Sequence, residues 1–270
     1  MPIIAMTHEM GSKGSAIGKA VADRLGYEYL RHDIIREAAR EYHAVEQKLR
    51  EAVQEKPGLF EMVRESARRY QIFIAAEVYE EALKDNVVIM GRWSTILLRG
   101  VPHAIRVRVL APLSFRITRI VERDQVSEEA ARRRIERYDE GVRYRMRQFY
   151  DVEWEDPTFY DLSLNTGRLS FETSVAQVVH LAASPQFRPT ADGRAIIQNL
   201  ALGARVRADL KTHRETSHLE ITVHAEEDTA VLSGTVFAAE DRTAAERVAK
   251  TAKGVKGVIN DLVFAKMPPV

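Results

Sequence analysis

The chain has 270 residues, of which 45% are hydrophobic and 29% charged, and its formal net charge is +1. This length allows one large domain or two smaller ones, and the balanced charge gives no overall field that would draw the protein to nucleic acid or to a membrane. The lack of cysteine excludes disulfides, thiol catalysis and cysteine-bound zinc. No leader pattern opens the chain and no apolar run reaches the ~20 residues that span a bilayer, so we expect a cytoplasmic protein without a transmembrane segment.

Strand-like and helix-like segments alternate over the first 183 residues, which is typical of an α/β fold with a parallel sheet flanked by helices. A glycine, Gly26, ends the first helix, and Pro57-Gly58 breaks a long helical region. The predicted strands are 3–6, 27–30, 87–90, 105–110 and 160–164. The predicted helices are 14–25, 33–55, 59–84, 112–123, an arginine-rich helix that starts after Ser127, and 170–183.

The composition changes at residues 184–193, which contain two prolines and one glycine without periodicity. We interpret this stretch as a linker between a domain at 1–183 and a domain at 194–266. The second domain is predicted to have the order αββαβ, which gives a small mixed sheet with two helices. Its elements are predicted at 195–212, 219–224, 230–236, 240–253 and 258–264.

The loop after the first strand reads EMGSKGS and leads directly into the first helix. A phosphate-binding loop needs glycines so that backbone N–H groups can point at phosphate oxygens, a lysine for the β- and γ-phosphates, and a hydroxyl group for Mg²⁺. The alternative is a tight strand-to-helix turn in which the glycines only permit positive φ. The candidate phosphate-binding residues are Gly11, Ser12, Lys13, Gly14 and Ser15, with Lys13 also a candidate catalytic cation and Ser15 a candidate Mg²⁺ ligand.

Arg92 follows the apolar strand 87–90. A buried strand that delivers an arginine at its carboxyl end can present a cation to a phosphate, so Arg92 is a candidate phosphate clamp. The alternative is a surface arginine paired with a carboxylate of a neighbouring helix.

Several motifs of residues 1–183 occur in the order found in cytidylate kinases. They are the loop, Leu25-Gly26-Tyr27 at the end of the first helix, Gly91-Arg92, the helix start at Ala111-Pro112, and Leu164-Asn165-Thr166. On these motifs the region resembles the divergent cytidylate kinase-like family of bacterial proteins. The resemblance implies a P-loop kinase-like fold, ATP with Mg²⁺ as phosphoryl donor, and CMP or a related nucleotide as acceptor.

The resemblance also implies roles for residues outside the loop. The arginine-rich helix is similar to the lid of nucleoside monophosphate kinases, and Arg137 and Arg143, near Asp139, are the candidate catalytic residues on it. The other arginines there have interleaved glutamates as i,i+4 partners, which is typical of a solvated helix. Asp33 and Arg36 lie where the acceptor pocket of the family begins, and they are the acceptor-pocket candidates.

The loop departs from the kinase pattern at specific positions. In the ungapped register His8 replaces the first glycine, Gly14 stands at the position of the lysine, and Ala16 replaces the metal-binding hydroxyl. Shortening the loop by one residue restores Lys13-Gly14-Ser15 but shifts the helix register. Arg92 is followed by Trp93 where cytidylate kinases carry aspartate. Two hypotheses therefore remain open: a working kinase, and a degenerate kinase that binds nucleotide without turnover.

The C-terminal region resembles the BON domain. The similarity rests on the segments VLSGTV at 231–236, AAERVA at 244–249 and GVKGVINDL at 254–262. It implies a module that binds a ligand or a protein partner of unknown identity. The alternative is an appendage that mediates dimerisation, which leaves a homo-oligomer open. We expect no nucleic-acid partner because carboxylates offset the arginines and few aromatic residues lie among them.

Overall fold

The computed structural model of the chain describes residues 1–31, 33–45 and 62–265. Over these ranges the chain forms two compact units. The first contains residues 1–31, 33 and 84–193, and the second contains residues 34–45, 62–83 and 194–265. The helix break predicted at Pro57-Gly58 lies outside the described residues, and the contiguous division at a linker of residues 184–193 stays a prediction.

A parallel five-stranded sheet forms the centre of the first unit, in the order β2-β3-β1-β4-β5. Because the strands are parallel, their carboxyl ends and the loops that follow them open at one edge of the sheet. Met6 of the central strand pairs in register with Met90 on one side and Val107 on the other. The strands are β1 Ile3–His8, β2 Glu28–Leu30, β3 Val87–Met90, β4 Ala104–Leu110 and β5 Leu162–Asn165.

Capping residues mark some of the helix ends. Ser127 accepts a hydrogen bond from the Ala130 amide at 3.2 Å, and Gly26 ends the first helix at φ 68°. The helices of the first unit are α1 Gly14–Leu25, α4 Ser94–Leu97, α5 Leu113–Asp124, α6 Glu128–Tyr150 and α7 Phe171–Ala182. The helices of the second unit are α2 Asp33–Glu41, α3 Met62–Ala82, α8 Ala191–Thr212 and α9 Ala239–Thr251. The first residue of α2 and the first three residues of α8 belong to the first unit.

The core of the first unit lies between the sheet and the helices α1 and α7. Its buried apolar side chains come from alternate positions of the central strands and from one face of each helix, as the two periodicities require. They include Ile4, Met6, Val107, Val109, Ile17, Val21, Val175 and Val178. This arrangement is the α/β sheet flanked by helices that the sequence predicts.

Several element boundaries differ from the prediction by more than one residue. The largest difference within the described residues is in the helix predicted at 33–55, which ends at Glu41 because the chain turns at Tyr42 and His43, with His43 in the left-handed conformation at φ 47°. The fifth strand begins at Leu162 rather than at 160, because Pro157–Phe159 forms a 3₁₀ turn. Helix α8 begins at Ala191 rather than at 195, and the Thr190 hydroxyl accepts a hydrogen bond from the Gly193 amide at 3.1 Å. The cap thus extends the helix by one turn into the region predicted as a linker.

The second unit contains a mixed three-stranded sheet in the order β6-β7-β8. The strands are β6 Ile221–Glu226, β7 Thr229–Val236 and β8 Gly257–Phe264. β6 and β7 are antiparallel, β7 and β8 are parallel, and buried residues of α8 and α9 form a core with the sheet. The predicted αββαβ module is therefore confirmed.

Helices α2 and α3 also contribute contacts to the second unit. The rings of Tyr42 and Phe73 stack with centroids 4.7 Å apart, and Arg205 of α8 forms an ion pair with Glu80 of α3. Within the described ranges, none of the helices has the length and the apolar character that crossing a bilayer requires.

Candidate functional site

The loop between β1 and α1 has a fixed backbone. Gly11 has φ 84°, and a Cβ atom there would lie 2.8 Å from the carbonyl oxygen of Arg116, so only glycine fits. Lys13 is the N-cap of α1 in the left-handed conformation, with φ 63° and an exposed side chain. Ser12 is buried and donates its hydroxyl to the Val109 carbonyl at 3.1 Å. The loop thus presents the first turn of α1, with its open N–H groups, at the carboxyl edge of the sheet.

Side chains from outside the loop hold its carbonyl groups. Arg116 of α5 donates Nε to the Met10 carbonyl at 2.8 Å. Arg119, one turn later, donates to the Gly11 carbonyl at 3.3 Å and to the Thr166 carbonyl at 2.8 Å. The Thr166 hydroxyl donates to the Ser12 carbonyl at 2.9 Å. These bonds engage the carbonyls of Met10, Gly11 and Ser12, which favours an anion at the amide side of the loop.

A buried charge network lies next to the loop. Both terminal nitrogens of Arg116 contact the carboxylate of Asp139 on α6, at 2.8 and 2.7 Å. Glu9, in the loop, accepts from Arg108 at 3.0 Å and lies 3.4 Å from Arg116. Since these side chains are largely buried, each charge depends on its partners for stability. The network fixes α5 and α6 to the loop.

His8, at the carboxyl end of β1, is surrounded by positive charge. Burial, together with the guanidinium groups of Arg31, Arg92 and Arg116, lowers the pKa of His8 from 6.5 to about 3. The imidazole is therefore neutral at physiological pH, and its Nε2 atom lies 3.3 Å from the Ser15 hydroxyl. Arg116 is paired with Asp139 and Glu9, and Arg31 and Arg92 add further positive charge near the start of α1, which suits phosphate groups.

Arg92 lies at the same edge of the sheet, directly after β3 and Gly91. Its Nε atom donates to the Tyr138 hydroxyl at 3.2 Å, and its guanidinium carbon lies 4.3 Å from the centre of the Tyr138 ring. Tyr138 in turn contacts the His8 carbonyl at 3.5 Å. Helix α6 therefore holds Arg92 beside the loop.

Comparison with known proteins identifies the region that carries this site. The model of the cytidylate kinase-like family matches residues 3–168, more than half of the chain. The chain belongs to the cytidylate kinase-like family. The model of the BON domain matches residues 199–266, so a BON domain follows the kinase-like region.

Individual relatives agree with this assignment to the cytidylate kinase-like family. A cytidylate kinase of Haloarcula marismortui is 28% identical over 200 residues, which cover 73% of this chain and 97% of that protein. A cytidylate kinase of Halobacterium salinarum is 29% identical over 171 residues, which cover 62% of this chain and 81% of that protein. An uncharacterized protein from Eubacterium ventriosum has a crystal structure with the same fold, with a TM-score of 0.55 and 19% identity over 68% of this chain and 99% of that one.

The structure brings only part of the predicted cytidylate kinase-like site together. The loop and the first turn of α1 contain Gly11, Ser12, Lys13, Gly14 and Ser15. Arg92 lies near them, since its charge acts on His8 at the start of the loop. Sequence reasoning missed Arg116 and Arg119, although their i,i+3 spacing after Ala111-Pro112 was a usable signal.

The remaining predicted residues lie on helices α6 and α2. Arg137 is exposed on α6, and Arg143 on the same helix forms a 2.6 Å ion pair with Glu155. Arg36 is an exposed residue of α2 in the second unit. The side chain of Asp33 lies outside the described residues.

The loop offers too few oxygen ligands to hold Mg²⁺ by itself, but it can add a ligand to those that nucleotide phosphates supply. Among the described residues, no group of three or more His, Asp or Glu side chains could hold a metal ion. Ser15 offers a single hydroxyl oxygen, and Mg²⁺ is commonly held by one or two protein oxygens together with phosphate and water. Ser15 is thus the residue that would contact the metal of a bound Mg-ATP.

We expect acid unfolding to depend on His8. Its pKa is lower in the folded protein than in the unfolded chain, so the unfolded chain binds the extra proton between about pH 6.5 and pH 3, and stability falls as the pH falls through that window. From about pH 7 to pH 4.5, His8→Gln should lose about 2 kcal/mol less of its free energy of unfolding than the unmodified protein. Urea unfolding at each pH measures this, with the exposed His180→Gln as control, and equal pH dependence of His8→Gln and the unmodified protein would contradict it.

Proposed function

We propose that the chain transfers the γ-phosphoryl group of ATP to CMP or a related nucleoside monophosphate. The observation that carries the proposal is the loop at the start of α1, whose carbonyls accept hydrogen bonds from Arg116, Arg119 and Thr166 and whose surroundings carry three arginines. A helix N-terminus with open amides and nearby cations binds the phosphates of a nucleotide. The membership of the cytidylate kinase-like family supports the same reaction class.

In the proposed reaction an oxygen of the acceptor phosphate attacks the γ-phosphorus of ATP. The bond from the γ-phosphorus to the bridging oxygen breaks, and ADP and a nucleoside diphosphate form. Mg²⁺ would neutralise charge on the donor phosphates. The protein contributes positioning and positive charge rather than covalent chemistry.

The roles of individual residues follow from their places. Lys13 and Ser15 contact the donor phosphates at the start of α1, and Arg92 holds the phosphate of the acceptor. Arg137 and Arg143 of α6 approach the transferring group, for which Arg143 has to leave Glu155. We propose the BON domain as the binding module for a separate ligand or protein partner.

A second function is favoured by the loop itself. Gly14 stands at the position of the kinase lysine, Ala16 replaces the metal-binding hydroxyl, and Trp93 is buried at the start of α4 where an aspartate is expected. These three positions fit a protein that binds nucleotide without turnover and acts through its BON domain.

Titration of Mg-ATP followed by CMP, with assay of ADP formation, tests both functions. If the chain is a kinase, Lys13→Ala should lower kcat/KM by about 10²- to 10³-fold, because the cation stabilises charge that develops in the transition state. Lys19→Ala is the matched control, since Lys19 is an exposed lysine of α1 that pairs with Asp23. Binding of ATP without ADP formation would favour the second function, and absence of binding would reject both.

A further inference from the structure

The glycine at the position of the kinase lysine has a steric cause. A Cβ atom on Gly14 would overlap the Cβ atom of His8 and would lie 2.7 Å from its Cγ atom. Gly14 is in the first turn of α1 and needs no positive φ, so its backbone conformation does not call for glycine. Glycine is in fact a poor helix former, which leaves the contact with His8 as the reason for it.

The Cβ and Cγ atoms of His8 therefore occupy the space where the side chain of residue 14 would begin, and the imidazole extends beyond them. From there its Nε2 atom reaches the Ser15 hydroxyl at 3.3 Å, while the Tyr29 hydroxyl donates to the Ser15 carbonyl at 3.1 Å. Ser15 is thus held from both sides. Its hydroxyl is the loop oxygen best placed to meet a phosphate or its metal.

Positive charge near the loop comes from other elements. Arg31 follows β2, Arg92 follows β3 and Arg116 belongs to α5, and the fields of all three act on His8. Because Arg116 is paired with Asp139 and Glu9, we assign the charge that a loop lysine would supply to Arg31 and Arg92.

We propose that His8 is a positioning residue of the phosphate loop: it excludes a side chain at residue 14, orients the Ser15 hydroxyl, and leaves the arginines to supply the cationic charge. The inference rests on the proposed binding of nucleotide phosphates at this loop. It makes His8 and Gly14 a matched pair, so that a side chain at one of the two positions requires glycine at the other.

An unfolding cycle without ligand tests the exclusion. Alanine at position 14 improves helix propensity, but in the presence of His8 we expect Gly14→Ala to lower the unfolding temperature. In a His8→Gly background the same change should raise it. A rise of the unfolding temperature in both backgrounds would overturn the exclusion.

Titration of Mg-ATP tests the positioning role. His8→Gly should weaken binding about tenfold through the lost hydrogen bond to Ser15, and His8→Gln should retain most of the affinity, because its terminal amide reaches the position of Nε2. Gly14→Lys alone should abolish binding, whereas His8→Gly combined with Gly14→Lys should restore it. Unchanged binding by His8→Gly, equal losses in the Gly and Gln variants, or no recovery in the double variant would overturn the role.

The two experiments separate the inference from the function on which it rests. If the unmodified protein binds no Mg-ATP, the proposed function fails and the positioning role falls with it, while the unfolding cycle still decides whether His8 excludes a side chain at residue 14. If the unmodified protein binds Mg-ATP and His8→Gly binds equally well, the proposed function stands and the positioning role is rejected.

Discussion

Replacing Arg92 by glutamine should lower kcat/KM for the nucleoside monophosphate by about 10- to 10²-fold, the cost expected when a hydrogen bond between charged groups is lost from substrate binding. Arg92 is fixed by β3, and Tyr138 contacts it through both the hydroxyl group and the ring face. Glutamine keeps hydrogen-bonding capacity and removes only the charge. We expect the loss mainly in the KM for the acceptor, because Arg92 is proposed to hold the acceptor phosphate.

Steady-state kinetics, with the concentration of each substrate varied in turn, measures this effect. If the protein shows no turnover, titration with CMP measures the affinity for the acceptor instead. Arg99→Gln is the matched control, since Arg99 is an exposed arginine that lies seven residues further along the same connection. Equal effects of the two substitutions, or a loss confined to ATP affinity, would reject the role of Arg92 as acceptor clamp.

Replacing Arg116 by methionine should destabilise the protein by about 3–5 kcal/mol, the usual cost of removing one partner from a buried ion pair. The change leaves the carboxylates of Asp139 and Glu9 without the guanidinium group that contacts both. It also removes the hydrogen bond to the Met10 carbonyl, so the loop should lose its fixed conformation and its affinity for nucleotide.

Chemical denaturation measures this free energy of unfolding. Arg123→Met serves as control on the same helix, because Arg123 pairs with Asp124 at the surface and its loss should matter little. Adding Asp139→Leu to Arg116→Met should recover part of the stability, since it removes a stranded charge. If Arg116→Met and Arg123→Met are equally stable, the network has no structural role.

Local patterns of the sequence were sufficient to predict most of the fold. Alternating strands and helices predicted the parallel sheet, and Gly26, Ser127 and Ser170 marked helix ends that the structure confirms. Each of these signals acts within a few residues, where backbone sterics and capping decide the conformation. The boundaries that differed include those at Pro157 and Thr190, where a turn and a cap compete with the neighbouring element, and the end of α2 at Glu41, where the chain turns.

The site was harder to predict because its contacts are long-range. The partners of Arg116 and Arg119 in the loop are more than a hundred residues away in sequence, and on α5 the two arginines resemble ordinary surface residues. His8 and Gly14 each look like a defect of the motif when considered alone, and only their contact shows that they compensate each other.

The discontinuous second unit has a consequence for how the polypeptide acquires its structure. Glu80 emerges from the ribosome well before Arg205, its partner, and Phe73 belongs to the same early segment. During synthesis from the N-terminus, helices α2 and α3 therefore exist for more than a hundred residues before the strands and helices of their own unit are available. During this delay the apolar faces of α2 and α3 are exposed, and bringing these helices together with residues 194–265 carries the entropic cost of closing a long loop. The second unit therefore completes its folding only when its C-terminal segment has been synthesised.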